Sequence, residues 1–413
     1  MIFPKLTIRD VDINNKVVLV RVDYNLLLDD AGKIVSDFRL QASLPTLKGL
    51  INANCKIILM AHLGRPGGRV DKNLSLQPVA SHLSEVLNKE VVFIDDYNWM
   101  NITNVVDSCD YGDIIMLENL RFNPEEEADD LEFAKHLADS TRADYFIQEG
   151  FGVVHRMHAS TDAITKFLPS VAGLLVKKEY DFLKNYLADP KRPFVLIIGG
   201  AKIADKLPVI KKLIEFSDRI IIGGAIANTF LRYHGKNIGK SVYESDQEAV
   251  ISEIYHLVDQ KIANLNMTRD DFLILPEDVR VAKTMSENSR SQTVSVDEVG
   301  DDDIILDIGD ESVDSLVSQV KSAQTVFWNG TLGYTDIEQF SIGSQSLAKT
   351  LASSDIRSII GGGDTVGFIT SRSEFDPERD FTHVSTGGGA SIDLIAGKKL
   401  PGVESLLDAQ DKK

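Results

Sequence analysis

The sequence predicts an α/β protein of two lobes, each a largely parallel sheet covered by helices on both faces. Three observations carry this reading. The 413 residues exceed what one core comfortably holds. Apolar runs alternate with amphipathic stretches through the first half, the βαβα order of parallel sheets. After Asp189-Pro190-Lys191-Arg192-Pro193, whose prolines end a helix and stiffen a boundary, the alternation starts again.

In chain order, Lys16 to Val22 reads as a buried strand and Asp37 to Asn52 as an amphipathic helix. Cys55 to Met60 is the next strand, Gln77 to Leu87 the next helix and Val91 to Ile94 a short strand. Asp113 to Leu117 is a strand, followed by an acidic helix start at Pro124 to Asp130, a helix through Ala138 and the strand Tyr145 to Ile147. A helical segment from about Ala172 to Leu187 leads to the boundary. In the second half Phe194 to Ile198, Arg219 to Ile222, Phe272 to Leu275, Thr325 to Trp328, Ser358 to Ile360 and His383 to Thr386 read as strands. Five of these apolar runs stop at glycines, as a nucleotide lying against backbone requires.

The bulk properties exclude several classes. A net charge of −18 opposes binding to nucleic acid or anionic membranes through a broad basic surface. No apolar run approaches a bilayer span, and the N-terminus lacks the pattern of a signal peptide, so the expectation is a cytoplasmic protein. Cys55 and Cys109 offer neither a disulfide framework nor metal-ligand spacing. Gly239-Lys240-Ser241 imitates the end of a P-loop, but the earlier glycine falls on His234. The acidic run Glu125 to Asp130 is explained by solvation and the helix dipole.

Ligands of such sheets sit beyond the strand carboxyl ends. In the first half these ends carry Asp23 and Asn25, His62 and Arg65, Arg121, and Arg156, with Arg39 opening the first helix. Arginine forks, imidazole and amide donors suit a small substrate bearing phosphate and carboxylate. Any one arginine taken singly reads first as a salt-bridge partner of a neighbouring acid; the convergence points to a site. In the second half Gly199-Gly200-Ala201 precedes Lys202 and Lys206, which at helical spacing share a face and suit an anion. Two solvated lysines at an ordinary turn is the competing reading. Asp364, after three glycines and before Thr365, is placed as a Mg²⁺ ligand or as a helix cap.

Together these segments closely resemble the phosphoglycerate kinase family over nearly the whole chain. The resemblance rests on Arg21-Val22-Asp23-Tyr24-Asn25, His62-Leu63-Gly64-Arg65-Pro66, Leu117 to Phe122, His155 to Thr161, Gly199 to Lys206, Trp328-Asn329-Gly330, Gly361 to Thr365, and Val384-Ser385-Thr386 through Pro401-Gly402-Val403. It implies two doubly wound, Rossmann-like domains: residues 1–171 for phosphoglycerate, an interdomain hinge helix over 172–188, and 189–394 for nucleotide, with 395–413 returning to the N-terminal lobe.

The resemblance further implies a monomeric glycolytic phosphotransferase with a carboxyl group as acceptor. It would exchange phosphate between 1,3-bisphosphoglycerate and Mg-ADP, giving 3-phosphoglycerate and Mg-ATP. Asp23, Asn25, Arg39, His62, Arg65, Arg121 and Arg156 would hold the phosphoglycerate. Gly200, Ala201, Gly223 and Gly224 would wall the adenine, and Asp336 would reach the ribose. Lys206, Asn329, Gly362, Gly363, Asp364 and Thr365 would serve the nucleotide phosphates, with Asp364 on Mg²⁺. Neutralisation of the transferring phosphoryl group would fall to Arg39, Lys202, Lys206 and the amides of Gly363 and Gly387. The chain departs from the family pattern at Leu27, Gln148, Glu149, Thr331 and Asp336.

Overall fold

The computed structural model describes residues 3–29 and 32–411, so the outermost residues of the first and last expected domains lie outside the described residues. The chain divides into two compact units, residues 1–184 with 398–413, and residues 185–397. The helix Leu174–Ala188 runs across that division.

The first unit holds a six-stranded sheet in the order Val91–Ile94, Ile114–Leu117, Lys56–Met60, Val17–Arg21, Tyr145–Gln148 and Ser170–Ala172. Every neighbouring pair is parallel. Val18, Leu19, Val20, Ile57, Ile58 and Leu59 are fully buried, which is why these strands read as unbroken apolar runs. Each such side chain contributes roughly 1.5–3 kcal/mol on leaving water. Ala172 closes the sheet as a strand residue, and the helix starts only at Leu174, where Thr46 Oγ1 accepts from its amide at 2.8 Å. The helix Trp99–Ser108, capped by Asn98, was not expected from the sequence.

The end of the chain belongs to this unit. Lys5 Nζ donates to the carbonyls of Glu404 and Leu406 at 2.7 and 2.9 Å and pairs with Asp408 at 2.7 Å. The Gly402 amide donates to Val154 O at 2.9 Å.

The second unit holds another six-stranded parallel sheet, ordered Leu273–Ile274, Arg219–Ile222, Phe194–Ile198, Thr325–Asn329, Arg357–Gly361 and His383–Val384. Numbered along the chain, these six strands follow the order 3-2-1-4-5-6 of dinucleotide-binding folds. The fold is thus the expected pair of doubly wound α/β domains. A three-stranded antiparallel sheet, Ser291–Ser295, Asp278–Ala282 and Ile304–Ile308, interrupts the alternation. Its strand Ser-Gln-Thr-Val-Ser carries too little apolar periodicity to be read from sequence.

Among the described residues no helix is long and apolar enough to cross a membrane.

Candidate active site

Both sheets change winding direction beside their first strand, and the polar residues gather at those two places, one in each unit. In the first unit the strand Val17–Arg21 lies between Lys56–Met60 and Tyr145–Gln148. Asp23 follows it and is buried; Arg39, on the first turn of the helix Phe38–Asn52, donates from Nη1 to both its oxygens at 3.0 and 2.9 Å. The Gly64 peptide is held from two sides. Its amide donates to Asn25 Oδ1 at 2.8 Å, and its carbonyl accepts from Arg121 Nη1 at 2.8 Å. Arg121 also pairs with Glu127 at 3.2 Å, and Arg156 Nε donates to His155 Nε2 at 3.3 Å.

His62 is buried behind these arginines. Burial first, then Arg21, Arg121, Arg39 and His158, push its pKa well below the ordinary imidazole range. Arg65 is exposed, and among the described residues it bonds to none of the others.

Two residues with no role in the sequence reading stand behind this cluster. Arg21 is wholly buried, and so is Glu126, correcting the expectation that the whole acidic run is solvated. Glu126 accepts from Ser160 Oγ at 2.6 Å and Ser160 N at 3.0 Å, and lies 3.8 Å from Arg21. Burial favours its neutral form, but His158, Arg21 and Ser160 together outweigh that and lower its pKa. An acid at a helix start carries no local sign of burial; its partners Arg21 and Ser160 come from distant segments.

Gln148 and Glu149 are also buried. Glu149 Oε2 accepts from Leu175 N at 3.2 Å at the start of the helix Leu174–Ala188, and burial raises its pKa well above the carboxylate range.

In the second unit three turns interlock at the reversal between Phe194–Ile198 and Thr325–Asn329. Gly199 N donates to Asn329 O at 3.0 Å, Gly200 N to Thr331 O at 2.9 Å, and Gly330 N to Thr365 Oγ1 at 2.7 Å. A Cβ at Gly199 would overlap the carbonyls of Gly330 and Thr331, so the close approach admits only glycine. The helix here starts at Leu207, with Pro208 in its first turn, and not at Lys202. Lys202 and Lys206 therefore do not share a helix face: the amides of Ile203 and Ala204 turn toward Glu244 Oε2 and hold the segment as a turn. Lys202 is exposed, whereas Lys206 reaches inward and Nζ donates to Asn329 Oδ1. Burial lowers the Lys206 pKa, opposed by Asp364 and Asp205. Beside it Asn329 Nδ2 is buried and, among the described residues, has no partner.

A cavity of about 280 Å³ opens at these turns, with Gly200, Ala201, Gly224, Thr331, Leu332 and Asp364 in its wall. Gly223 faces Leu332 instead, and Asp336 is exposed outside the lining. Asn228 and Asp307, which the sequence reading did not single out, also line it. Gly362 takes φ 93° against Asn329, and the helix Gly363–Thr370 begins with Gly363 and Asp364 exposed. Asp364 stands inside that first turn, and the capping position is Gly362. The Gly387 amide donates to Ser385 Oγ at 3.1 Å.

Among the described residues no group of three or more His, Cys, Asp or Glu could hold a metal ion. A single carboxylate at a cavity mouth nevertheless fits Mg²⁺, which takes one or two carboxylates and completes its shell with water and phosphate oxygens.

The phosphoglycerate kinase family model matches residues 8–398. Phosphoglycerate kinases of Pelotomaculum thermopropionicum and Moorella thermoacetica are each 41% identical over 404 residues, covering 98% of this chain and 99% of theirs. The solved phosphoglycerate kinase of Coxiella burnetii superposes with a TM-score of 0.78 at 33% identity, over 99% of this chain and 100% of that one. That of Pyrococcus horikoshii gives 0.82 at 27% identity, over 97% and 98%. A match of this extent leaves neither unit outside the likeness, and the chain belongs to the phosphoglycerate kinase family.

Proposed function

We propose that this protein transfers a phosphoryl group reversibly from 1,3-bisphosphoglycerate to ADP, giving 3-phosphoglycerate and ATP. Support comes first from the Lys206–Asn329 contact at the winding reversal of the second sheet, which holds a half-buried ammonium near Asp364, a residue in the wall of the cavity. In the transfer a terminal phosphate oxygen of ADP attacks the acyl phosphorus in line. The P–O bond to the substrate carboxyl breaks, and its electron pair stays on the carboxylate. No proton moves, so no catalytic base is needed. Catalysis is positioning and neutralisation of charge on the transferring oxygens.

In this reading Asp23, Asn25, Arg39, His62, Arg65, Arg121 and Arg156 bind phosphoglycerate. Gly200, Ala201 and Gly224 flank the base, Asn329, Gly363, Asp364 and Thr365 serve the phosphates, and Lys202, Lys206 and Gly387 stabilise the group in flight. Asp364 would hold Mg²⁺, which when bound neutralises phosphate charge. The two residue sets belong to different units, so the reaction requires residues 1–171 and 189–394 to close about the 172–188 helix and exclude water from the acyl phosphate. Monomeric action in the cytoplasm completes the reading.

The test is to supply 3-phosphoglycerate, ATP and Mg²⁺ and to follow 1,3-bisphosphoglycerate through a coupled reductive dehydrogenase, with and without EDTA. Magnesium-dependent turnover is expected; no turnover despite binding of both ligands would overturn the reading. Running the reverse reaction with ADP, GDP and IDP side by side shows whether Thr331 and Asp336 alter nucleotide preference.

A further inference from the structure

Arg21 distributes its donors among three fixed partners. Nε donates to Ser160 Oγ at 2.7 Å, Nη1 to Val22 O at 2.5 Å, and Nη2 lies 3.2 Å from His62 Nδ1. A guanidinium has donors only and keeps its proton in proteins. The third contact is therefore a hydrogen bond only if His62 Nδ1 presents a lone pair. A neutral imidazole with a bare Nδ1 carries its proton on Nε2.

An imidazolium would set an N–H against the Nη2 donor. It would also add a cation where Arg21, Arg121, Arg39 and His158 already disfavour positive charge on the ring. The assembly behind Arg21 is buried: Arg21, Glu126 and Ser160 are each 0% exposed, and His62 is 4% exposed. Glu126 holds Ser160 through both hydroxyl and amide, and Ser160 holds Nε of Arg21. Among the described residues no protein group bonds His62 Nε2, which leaves that N–H for a ligand.

We propose that Arg21, braced by Ser160 and Glu126, is a positioning residue that locks His62 as the neutral Nε2–H tautomer, making His62 a hydrogen-bond donor to the anionic oxygens of phosphoglycerate. The identity of the ligand rests on the proposed function; the tautomer lock does not. Within the reaction His62 acts neither as a base nor as a cationic clamp. Its contribution should then be constant across the neutral pH range where an ordinary histidine changes charge.

The experiment is long-range ¹H–¹⁵N correlation on the full-length protein labelled with ¹⁵N-histidine, with His62 assigned by its loss in His62→Gln. Without ligands, and from about pH 5.5 to 8, a span bracketing an ordinary histidine, His62 is expected to keep a protonated Nε2 and a bare Nδ1. A proton on Nδ1, or titration to imidazolium in that span, would overturn the lock. Arg21→Met keeps the bulk but removes the donors, and a folded variant is expected to show both tautomers. An unchanged single tautomer there would show that Arg21 does not set it. Because that variant removes the Arg21 charge beside buried Glu126, the wild-type spectrum stands as the test should it not fold.

The donor role is tested by two variants of similar size. His62→Gln places an amide N–H near the position of Nε2, and His62→Asn places it near Nδ1. The KM for 3-phosphoglycerate is expected to rise roughly tenfold or more further in Asn than in Gln, the worth of a hydrogen bond to a charged group. Equal rises would overturn the donor role. A confirmed Nε2–H tautomer whose replacement leaves this KM unchanged would keep the lock and reject phosphoglycerate as its ligand.

Discussion

One nitrogen of Arg39, Nη1, serves both oxygens of Asp23, at 3.0 and 2.9 Å. Among the described residues Nε and Nη2 of Arg39 bond no protein acceptor, so the side chain is oriented by Asp23 while most of its donor fork remains available. Only the Arg39 end of the pair reaches solvent: its side chain is 24% exposed, that of Asp23 5%. That combination separates its part in binding from its part in folding.

Arg39→Ala should therefore leave the fold intact and remove activity. Leaving the buried Asp23 without this partner costs about 1–3 kcal/mol of stability, whereas loss of a preorganised donor to a transferring phosphoryl group costs about 10²–10³ in kcat. Urea midpoints and the coupled assay measure the two separately. An unfolded variant would make Arg39 a structural ion-pair partner.

Lys206→Ala should reduce turnover far more than nucleotide affinity. Its ammonium is held at Asn329 Oδ1, near Asp364, and is needed most when charge is spread over the moving group. We expect kcat to fall by about 10²–10³ with ADP affinity changed by less than about tenfold. Calorimetric titration with ADP beside steady-state kinetics decides; equal losses would make Lys206 a ground-state binding residue.

Stability should fall as pH rises through the neutral range. Burial raises the Asp307 pKa to about 7, although the amides of Ile308 and Gly343 bond its oxygens at 2.9 and 3.0 Å. Burial also raises Glu149 well above its ordinary value. A folded state that holds these protons more tightly than the unfolded chain is favoured most below the unfolded pKa, near 4. The contribution of Asp307 is lost between about pH 4 and 7, and that of Glu149 continues to be lost above its own unfolded value. Because the depressed His62 pKa adds stability as pH rises to about 6.5, the decline should show in denaturant midpoints from about pH 6.5 to 8, and Glu149→Gln should flatten it. A flat wild-type profile would mean that both carboxyls titrate as they do in the unfolded chain.

Gly173→Ala should destabilise the protein through one specific neighbour. A Cβ there would overlap the Glu149 carboxyl, which is packed against the helix start and whose Oε1 has no partner among the described residues. Overpacking of this kind costs about 1–3 kcal/mol. Combining Gly173→Ala with Glu149→Ala, which clears the space, should cost less than the sum of the two single changes. Strict additivity in thermal unfolding would place the strain elsewhere.

The parallel strands other than Ser170–Ala172 were legible because sheets buried on both faces are written as uninterrupted apolar runs, as in Phe194-Val195-Leu196-Ile197-Ile198, every residue of which is buried. The glycines that end them were legible for a related reason: at Gly199 the chain packs against another backbone, and no side chain fits. The antiparallel strands of the second unit were not, since their pairing depends on partners that their own residues do not announce.

Local pattern therefore set the α/β class, the strand ends and the residues standing after them, because these depend on periodicity and on backbone conformations that neighbouring residues impose. The folded molecule set the pairing of those ends. The start of the helix at Leu207 depends on Glu244, the burial of Glu126 on Ser160 and Arg21, and the proposed protonation of His62 on Arg21. Each of these is a contact between groups 34 to 41 residues apart or more in the chain. Hydrogen bonds and desolvation act over a few ångströms of space, so their partners become known only when the chain has closed on itself.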